Sequence, residues 1–110
     1  MAPQLFTIKK RATFVHIRDK GVFIRSKNIN VQKLFNQELE GKIGVGYTAT
    51  KRIGNAVKRN KAKRIMRELA KKTLIKGKTN TYYVLIAKLS ILDTKFKTLL
   101  KEMESIIHVK

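Results

Sequence analysis

Residues 50–72, TKRIGNAVKRNKAKRIMRELAKK, form the stretch that decides how this chain folds and what its surface can bind. From Lys51 onward the stretch holds ten Lys and Arg residues and a single acid, Glu68. When it is wound at about 100° per residue, its apolar side chains gather on one side and most of its basic side chains on the opposite side. The apolar side, which predicts a helix docked on a sheet, consists of Ala62, Ile65, Met66, Leu69 and Thr73.

The front of this helix has the features of an anion-binding site. Asn55 is a favourable N-cap, and Gly54 allows a tight turn just before it. The first turn of a helix leaves backbone N–H groups without partners in the helix, and these groups attract phosphates. The cations that surround this turn in the sequence are Lys51, Arg52, Lys58 and Arg59.

The basic side of the helix consists of two ladders with four-residue spacing. One ladder is Lys63, Arg67 and Lys71, and the other is Asn60 and Arg64. Like charges one turn apart repel each other in the free protein, and an ordinary solvated helix mixes signs to avoid that cost. We therefore expect this side of the helix to bind the phosphates of a nucleic acid rather than to be an idle solvent face.

The composition of the whole chain points to the same class of partner. Its 110 residues include 26 Lys and Arg against seven Asp and Glu, for a formal net charge of +19. A hydrophobic fraction of 43% can support one modest core, so a single domain spanning residues 1–110 is expected, with the basic stretch of residues 51–72 as its nucleic-acid-binding motif. The chain has no cysteine, and its N-terminal sequence shows no signal-peptide pattern, so a cytoplasmic protein is expected. Nucleic acid is the polyanion that best fits this charge.

The flanking sequence predicts an α+β fold. Alternation and β-branched residues predict one or two strands within 22–35, a strand in 42–50 and a buried strand in 81–89. Helical spacing predicts a first helix at 11–20 and a last helix with Asp93 as its N-cap. The expected order is helix, two or three strands, long helix, strand and helix, with the helices laid on a mixed sheet.

The basic stretch also resembles the signature of the bacterial ribonuclease P protein subunit. That signature runs Lys-Lys/Arg-x-Gly-Asn-Ala-Val, then x-Arg-Asn-Arg-x-x-Lys-Arg, with a further basic residue three positions on. The chain departs from it at Lys61, where the family usually has Arg, so the charge is kept but the planar fork is lost. The matching positions are Lys51, Arg52, Gly54, Asn55, Ala56, Val57, Arg59, Asn60, Lys63, Arg64 and Arg67.

The resemblance extends over nearly the whole chain and implies both a fold and a function. The implied fold is an α-β-β-β-α-β-α sandwich with helices on a four-stranded mixed sheet and a left-handed crossover. The implied function is that of a protein subunit that assists a catalytic RNA in the endonucleolytic removal of the 5′ leader from precursor tRNA. The implied partners are this RNA, with one protein per RNA, and precursor tRNA. The implied metal is Mg²⁺, bound mainly by the RNA subunit and the substrate.

The resemblance also assigns two sets of residues. A cleft beside the first helix would hold the unpaired leader, with Phe14 as a stacking surface and Arg18 in place of a second aromatic of the family. Lys33 and Lys88 are the basic strand residues expected to line the same cleft. The residues expected to bind the RNA subunit, called the basic surface below, are Lys51, Arg52, Asn55, Lys58, Arg59, Asn60, Lys61, Lys63, Arg64, Arg67 and Lys71.

Catalysis by the protein itself has no support in the sequence. A two-metal nuclease needs carboxylates gathered around ions about 4 Å apart, whereas the seven acids here are scattered. No catalytic residue and no metal ligand is therefore assigned to the protein. Without the resemblance, a ribosomal protein or a general RNA-binding module would account for the charge and size. A stand-alone nuclease and a membrane-surface binder are further alternatives, which the scattered acids and the mild apolar face of the helix disfavour.

Overall fold

The computed structural model describes residues 3–108, in which three helices pack on a five-stranded sheet. In chain order the elements are β1 (Leu5–Thr7), α1 (Arg11–Lys20), β2 (Val22–Ile24), β3 (Ile29–Phe35), β4 (Ile43–Thr48), α2 (Ala56–Thr73), β5 (Thr81–Ala87) and α3 (Phe96–Ile107). The strand order across the sheet is β1-β4-β5-β3-β2. The sheet is mixed, because β4 runs parallel to β1 and β5 whereas β3 runs antiparallel to β5 and β2.

The first strand is absent from the sequence-based prediction, so the expected four-stranded sheet is wrong by one strand. β1 has only three residues, too few to show an alternating pattern. Its pairing with β4 is flanked by hydrogen bonds from Ile43 N to Gln4 O at 2.9 Å and from Ile8 N to Val45 O at 2.8 Å. Pairing with a neighbouring strand, not local propensity, makes this segment a strand.

The other predicted elements are present, but β4 and β5 are shorter than predicted and the last helix begins later. The first helix has the predicted ends, and the region after it supplies two strands, β2 and β3. The predicted N-cap of the last helix is wrong: Asp93 ends a 3-10 turn, and α3 begins at Phe96 with Lys95 as its N-cap. The Thr94 hydroxyl lies 2.7 Å from Ser90 O, and this contact helps to hold the extra turn ahead of the helix.

The larger core lies between the sheet and the helices α2 and α3. Full burial of Met66 and Leu69 contributes about 1.5–3 kcal/mol each to holding α2 on the sheet. Thr73 is buried without an unsatisfied hydroxyl, because its Oγ1 donates to Leu69 O at 2.6 Å. The apolar side predicted from the sequence is therefore the docked side. The buried residues of α2 are Ala62, Met66, Leu69, Ala70 and Thr73.

Helix α1 covers part of the opposite face of the sheet. Ile17 is fully buried there and packs with Ile8 and Val84. Phe14 packs over the backbone of Gly46, where an added Cβ would overlap the ring. The absence of a side chain at Gly46 therefore lets α1 approach the sheet closely, and the uncovered part of this face becomes a cleft.

A cluster of hydrogen bonds ties the turn between β2 and β3 to α3. The Glu102 carboxylate accepts hydrogen bonds from Ser26 Oγ at 2.6 Å, from Asn28 N and Asn28 Nδ2 at 2.7 Å each, and from Ile29 N at 3.2 Å. Burial alone would raise the pKa of Glu102, but these hydrogen bonds outweigh burial and hold the pKa below its ordinary value of 4.5. The turn that carries Ser26 is thereby held in place beside the end of β5.

Candidate nucleic-acid interface

The front of α2 is built as the sequence predicts. Asn55 is the N-cap, and its side-chain oxygen accepts a hydrogen bond from Lys58 N at 3.0 Å. Gly54 has a φ of 132°, in the region that favours glycine. Arg59 Nη1 donates to Gly54 O at 2.8 Å. Arg59 therefore fastens the turn ahead of the helix, in addition to the RNA contact that the sequence predicts for it.

The two cations ahead of α2 lie on a short 3-10 turn, Lys51–Ile53. Ile53 is buried and anchors this turn in the core, whereas Lys51 and Arg52 are exposed. Thr50 caps the turn through a hydrogen bond from Arg52 N to its hydroxyl at 3.4 Å. The turn thus presents both cations to solvent beside the helix N-terminus, where backbone N–H groups add to their attraction for anions.

The rest of the basic surface runs along the outer side of α2. Lys63 is half-buried, and the exposed members are Asn60, Lys61, Arg64, Arg67 and Lys71. The acid of this helix, Glu68, lies 3.8 Å from Lys71 Nζ. Both side chains of that pair are largely exposed, so the contact leaves the positive character of the surface intact.

One of these cations is positioned by an aromatic ring of the sheet. The guanidinium carbon of Arg67 lies 5.6 Å from the ring centroid of Tyr47, at the distance of a cation–π contact. Burial raises the pKa of Tyr47, and the charge of Arg67 offsets only part of that rise. Tyr47 therefore stays neutral at physiological pH and supports the Arg67 side chain against the sheet.

A cleft of about 380 Å³, called the α1 cleft, separates α1 from the sheet. Phe14 and Arg18, the two residues expected to hold a leader, both line it. Arg18 is exposed, and its Nε lies 3.3 Å from the carboxylate of its neighbour Asp19. From α1 the cleft is lined by Arg11, Phe14, Val15 and Arg18, and from the sheet by Gln32, Thr48, Val84 and Ile86.

A second groove, called the sheet-end groove, lies where β4 and β5 end. It has a volume of about 760 Å³ and contains Lys88, whose Nζ donates to Ser26 O at 2.5 Å. Side chains two residues apart in a strand point to the same face, so Asn30 and Lys88 continue the rows of Gln32 and Ile86 in the α1 cleft. The groove is lined by Asn30, Thr50, Lys51, Arg52, Ile53, Ala87, Lys88 and Leu89. The two sites are therefore lined by neighbouring positions of β3 and the end of β5, and the sheet-end groove also contains Lys51 and Arg52 from the turn ahead of α2.

The structure does not bring Lys33 into this arrangement. Lys33 lies in the row of Ile29 and Val31, which face the core beneath α2 and α3, and it lines a different cavity there. The expectation that Lys33 shares a cleft with Phe14 is therefore wrong. Successive side chains of a strand point to opposite faces of the sheet, and Lys33 is on the face away from Phe14. Residues that the sequence analysis missed include Arg11 and Gln32. The spacing of Arg11, three residues before Phe14 on one helix, was an available signal for the first of them.

Within residues 3–108 no helix is long and apolar enough to cross a membrane. In the same part of the chain, no three His, Asp or Glu side chains gather in a way that could hold a metal ion.

Comparisons with known proteins identify the family of this chain. The family described as Ribonuclease P matches residues 2–109. The ribonuclease P protein component of Symbiobacterium thermophilum is 30% identical over 105 residues, which cover 94% of this chain and 89% of that protein. The same component of Gluconacetobacter diazotrophicus is 35% identical over 68 residues, or 62% of this chain and 58% of that protein. The solved Staphylococcus aureus RNase P protein is 29% identical with a TM-score of 0.79, covering 92% of this chain and 91% of that one. The chain therefore belongs to the ribonuclease P protein family.

Proposed function

We propose that this chain binds the catalytic RNA of ribonuclease P through its basic surface and holds the 5′ leader of precursor tRNA in the α1 cleft. The observation that carries the proposal is that the α1 cleft and the sheet-end groove are lined by neighbouring positions of β3 and the end of β5, and that the groove contains Lys51 and Arg52 ahead of α2. In this proposal an RNA chain runs from the α1 cleft to the sheet-end groove, and this course is called the leader path. Along it the RNA would meet an aromatic ring first and then a series of cations. This order suits a leader whose bases stack in the α1 cleft and whose further course lies beside the bound RNA subunit.

The α1 cleft has the two features that an unpaired strand requires, a stacking surface and cations. The Phe14 ring is held by its packing on Gly46, so its position is set before a base arrives. Arg11 and Arg18 stand three residues before and four residues after Phe14, on the same side of α1. When a base contacts the ring, one guanidinium can bind the phosphate before that base and the other can bind the phosphate after it.

Lys88 joins the leader path to the basic surface. It lies at the end of β5 in the same groove as Lys51 and Arg52, and its hydrogen bond to Ser26 O holds it on the turn between β2 and β3. One ammonium hydrogen is used by that contact, and two remain for a phosphate. In this proposal Lys88 marks the point where the leader passes toward the RNA-bound side of the protein.

The protein contributes binding rather than bond cleavage in this proposal. Hydrolysis of the phosphodiester, with Mg²⁺ held by the RNA subunit and the substrate, releases tRNA with a 5′ phosphate. No metal ligand is assigned to this chain in the proposal, because its seven acids are scattered along the sequence. Each phosphate that the protein neutralises steepens the dependence of log affinity on log salt by about 0.7–0.9. The proposed complex contains one protein per RNA, and therefore a single basic surface. Its proposed location is the cytoplasm.

The test is cleavage of precursor tRNA by a bacterial ribonuclease P RNA at low Mg²⁺, with and without this chain. We expect a large gain in rate that shrinks as the leader is shortened to a single nucleotide. Arg18→Gln should reduce the gain for long leaders and leave it unchanged for the shortest one. Lys97→Gln removes one exposed positive charge from α3 and serves as the matched control.

The possible outcomes separate the parts of the proposal. A gain in rate that does not depend on leader length would contradict leader binding in the α1 cleft and would still support RNA binding by the basic surface. No gain, together with tight binding to ribosomal RNA, would favour the ribosomal alternative. Cleavage by the protein and metal without the RNA subunit would show a stand-alone nuclease.

A further inference from the structure

A cavity of about 680 Å³ lies on the opposite face of the sheet from the α1 cleft, and the proposed function does not use it. This cavity, called the α3 cavity, lies between the last residues of β3, the first residues of β5, the turn after α2 and the C-terminal end of α3. Its inner wall is formed by Tyr83 and Ile107, which are 1% and 7% exposed. The volume lies within the range of about 300–1,000 Å³ that small-ligand sites occupy.

The rim of the α3 cavity combines an exposed aromatic ring with cations. Phe35, at the end of β3, is 55% exposed. The ammonium nitrogen of Lys78 lies 5.5 Å from the centroid of its ring. Lys76 and Lys33 also line the cavity, and its ten described lining residues include no acid. A ligand in the cavity would therefore meet a flat apolar surface and positive charge together.

The part of the rim that carries two of these lysines is preformed. Gly77 N donates to Leu74 O at 2.8 Å, which closes the turn after α2. Lys78 N then donates to the hydroxyl of the buried Tyr83 at 3.3 Å. These contacts set the backbone on which Lys76 and Lys78 stand, so little ordering of the chain is needed when a ligand binds.

We propose that the α3 cavity binds one unpaired nucleotide, with its base on the Phe35 ring and its phosphate held by Lys76 and Lys78. A base has a flat face that stacks on an aromatic ring, and its phosphate requires cations within reach. An acidic peptide would use the lysines but has no general need for an exposed ring. The site is independent of the leader path, because the sheet separates the α3 cavity from the α1 cleft.

The test is an NMR titration of the full chain with adenosine 5′-monophosphate. We expect saturable shifts of the amide signals of Gly77 and Tyr83. Phe35→Ala should weaken this binding by about fivefold or more, which is the lower end of what loss of one stacked base costs. Phe23→Ala should leave the affinity unchanged. Phe23 is a matched control, since it is 46% exposed with Arg25 5.8 Å from its ring, but lies in β2 on the α1 side of the sheet.

A second pair of variants tests the phosphate contact and covers the case in which Phe35→Ala does not fold. Lys78→Gln should weaken binding of the nucleotide, whereas Lys97→Gln on α3 should not. Three results would overturn the proposal: equal effects within either pair of variants, shifts confined to the α1 cleft and the front of α2, or no shifts. Inorganic phosphate provides the remaining control. Equal affinity for phosphate and the nucleotide would reduce the site to an anion site and would also overturn the proposal.

Discussion

Replacing Glu102 by Gln tests the hydrogen bonds that join the turn between β2 and β3 to α3. Glu102 Oε2 accepts from Ser26 Oγ, Asn28 N and Ile29 N, and Oε1 accepts from Asn28 Nδ2. A Gln side chain keeps only one of the two oxygens, so its amide nitrogen would face a donor. Asn28 is 1% exposed, and water therefore cannot easily take the place of the lost acceptor.

The size of the effect follows from these contacts. A hydrogen bond to a charged group contributes about 1.5–3 kcal/mol, and the loss here is placed near the lower end because water reaches the half-buried carboxylate. We expect Glu102→Gln to lower the free energy of unfolding by about 2 kcal/mol. For a chain of this size that corresponds to a fall in Tm of about 10 °C. Urea and thermal unfolding followed by circular dichroism measure both quantities.

The matched control is Glu104→Gln, which removes the same charge from an exposed position of the same helix. Each variant removes one negative charge and so increases the repulsion within this cationic chain to a similar extent, and their difference therefore isolates the hydrogen bonds of Glu102. Equal stability of the two variants would refute the reasoning.

The pH dependence gives a second readout with a definite sign. The pKa of Glu102 in the folded protein is lowered from 4.5, so its ionised form stabilises the folded state. This contribution is fully present above the ordinary pKa and is lost as the pH falls through the folded value. The gap in stability between the wild type and Glu102→Gln should be constant near neutral pH and narrow below pH 4.5. A gap that stays constant in acid would contradict this account.

Three more predictions concern α1, the cap of α2 and the basic surface. Gly46→Ala should cost about 1–3 kcal/mol of stability because the new methyl group overlaps the Phe14 ring, and most of that cost should vanish in a Phe14→Ala background. Urea unfolding of the double variant measures the coupling, and additive losses would show that the two sites are independent. Asn55→Ala should lose about 1 kcal/mol of capping energy, whereas Asn55→Asp keeps the cap but adds a negative charge at the proposed RNA site. Asn55→Asp should therefore retain its Tm and bind the RNA subunit more weakly, and undiminished binding would argue against an RNA contact there. Arg64→Gln should make the fall of log affinity for the RNA subunit with log salt less steep by about 0.7–0.9. Lys97→Gln is the control, and an equally steep fall in the two variants would exclude a phosphate contact at Arg64.

The sequence was sufficient for α2 and its surroundings because the forces there are local. The apolar side of α2 follows from a repeat of 3.6 residues, and the docked face has the predicted membership apart from Ile65, which is half-buried, and Ala70, which is an addition. The cap at Asn55 is a contact between residues three apart, so its geometry does not depend on the rest of the fold. The family signature lies in the same stretch, so the resemblance to the family is carried by local sequence alone.

The tertiary structure alone decided which residues share a cleft. β1 exists because β4 offers it a partner, and three residues carry no periodic signal of their own. Lys33 points away from Phe14 because the register of β3 places it in the row of Ile29 and Val31, and an assignment that ignored this alternation put it on the wrong face. Asp93 fails as a helix cap because a contact between Thr94 and Ser90 extends the preceding turn. Local pattern thus determined the helix and its charged face, whereas pairing between distant strands determined the two sides of the sheet on which the cleft and the α3 cavity lie.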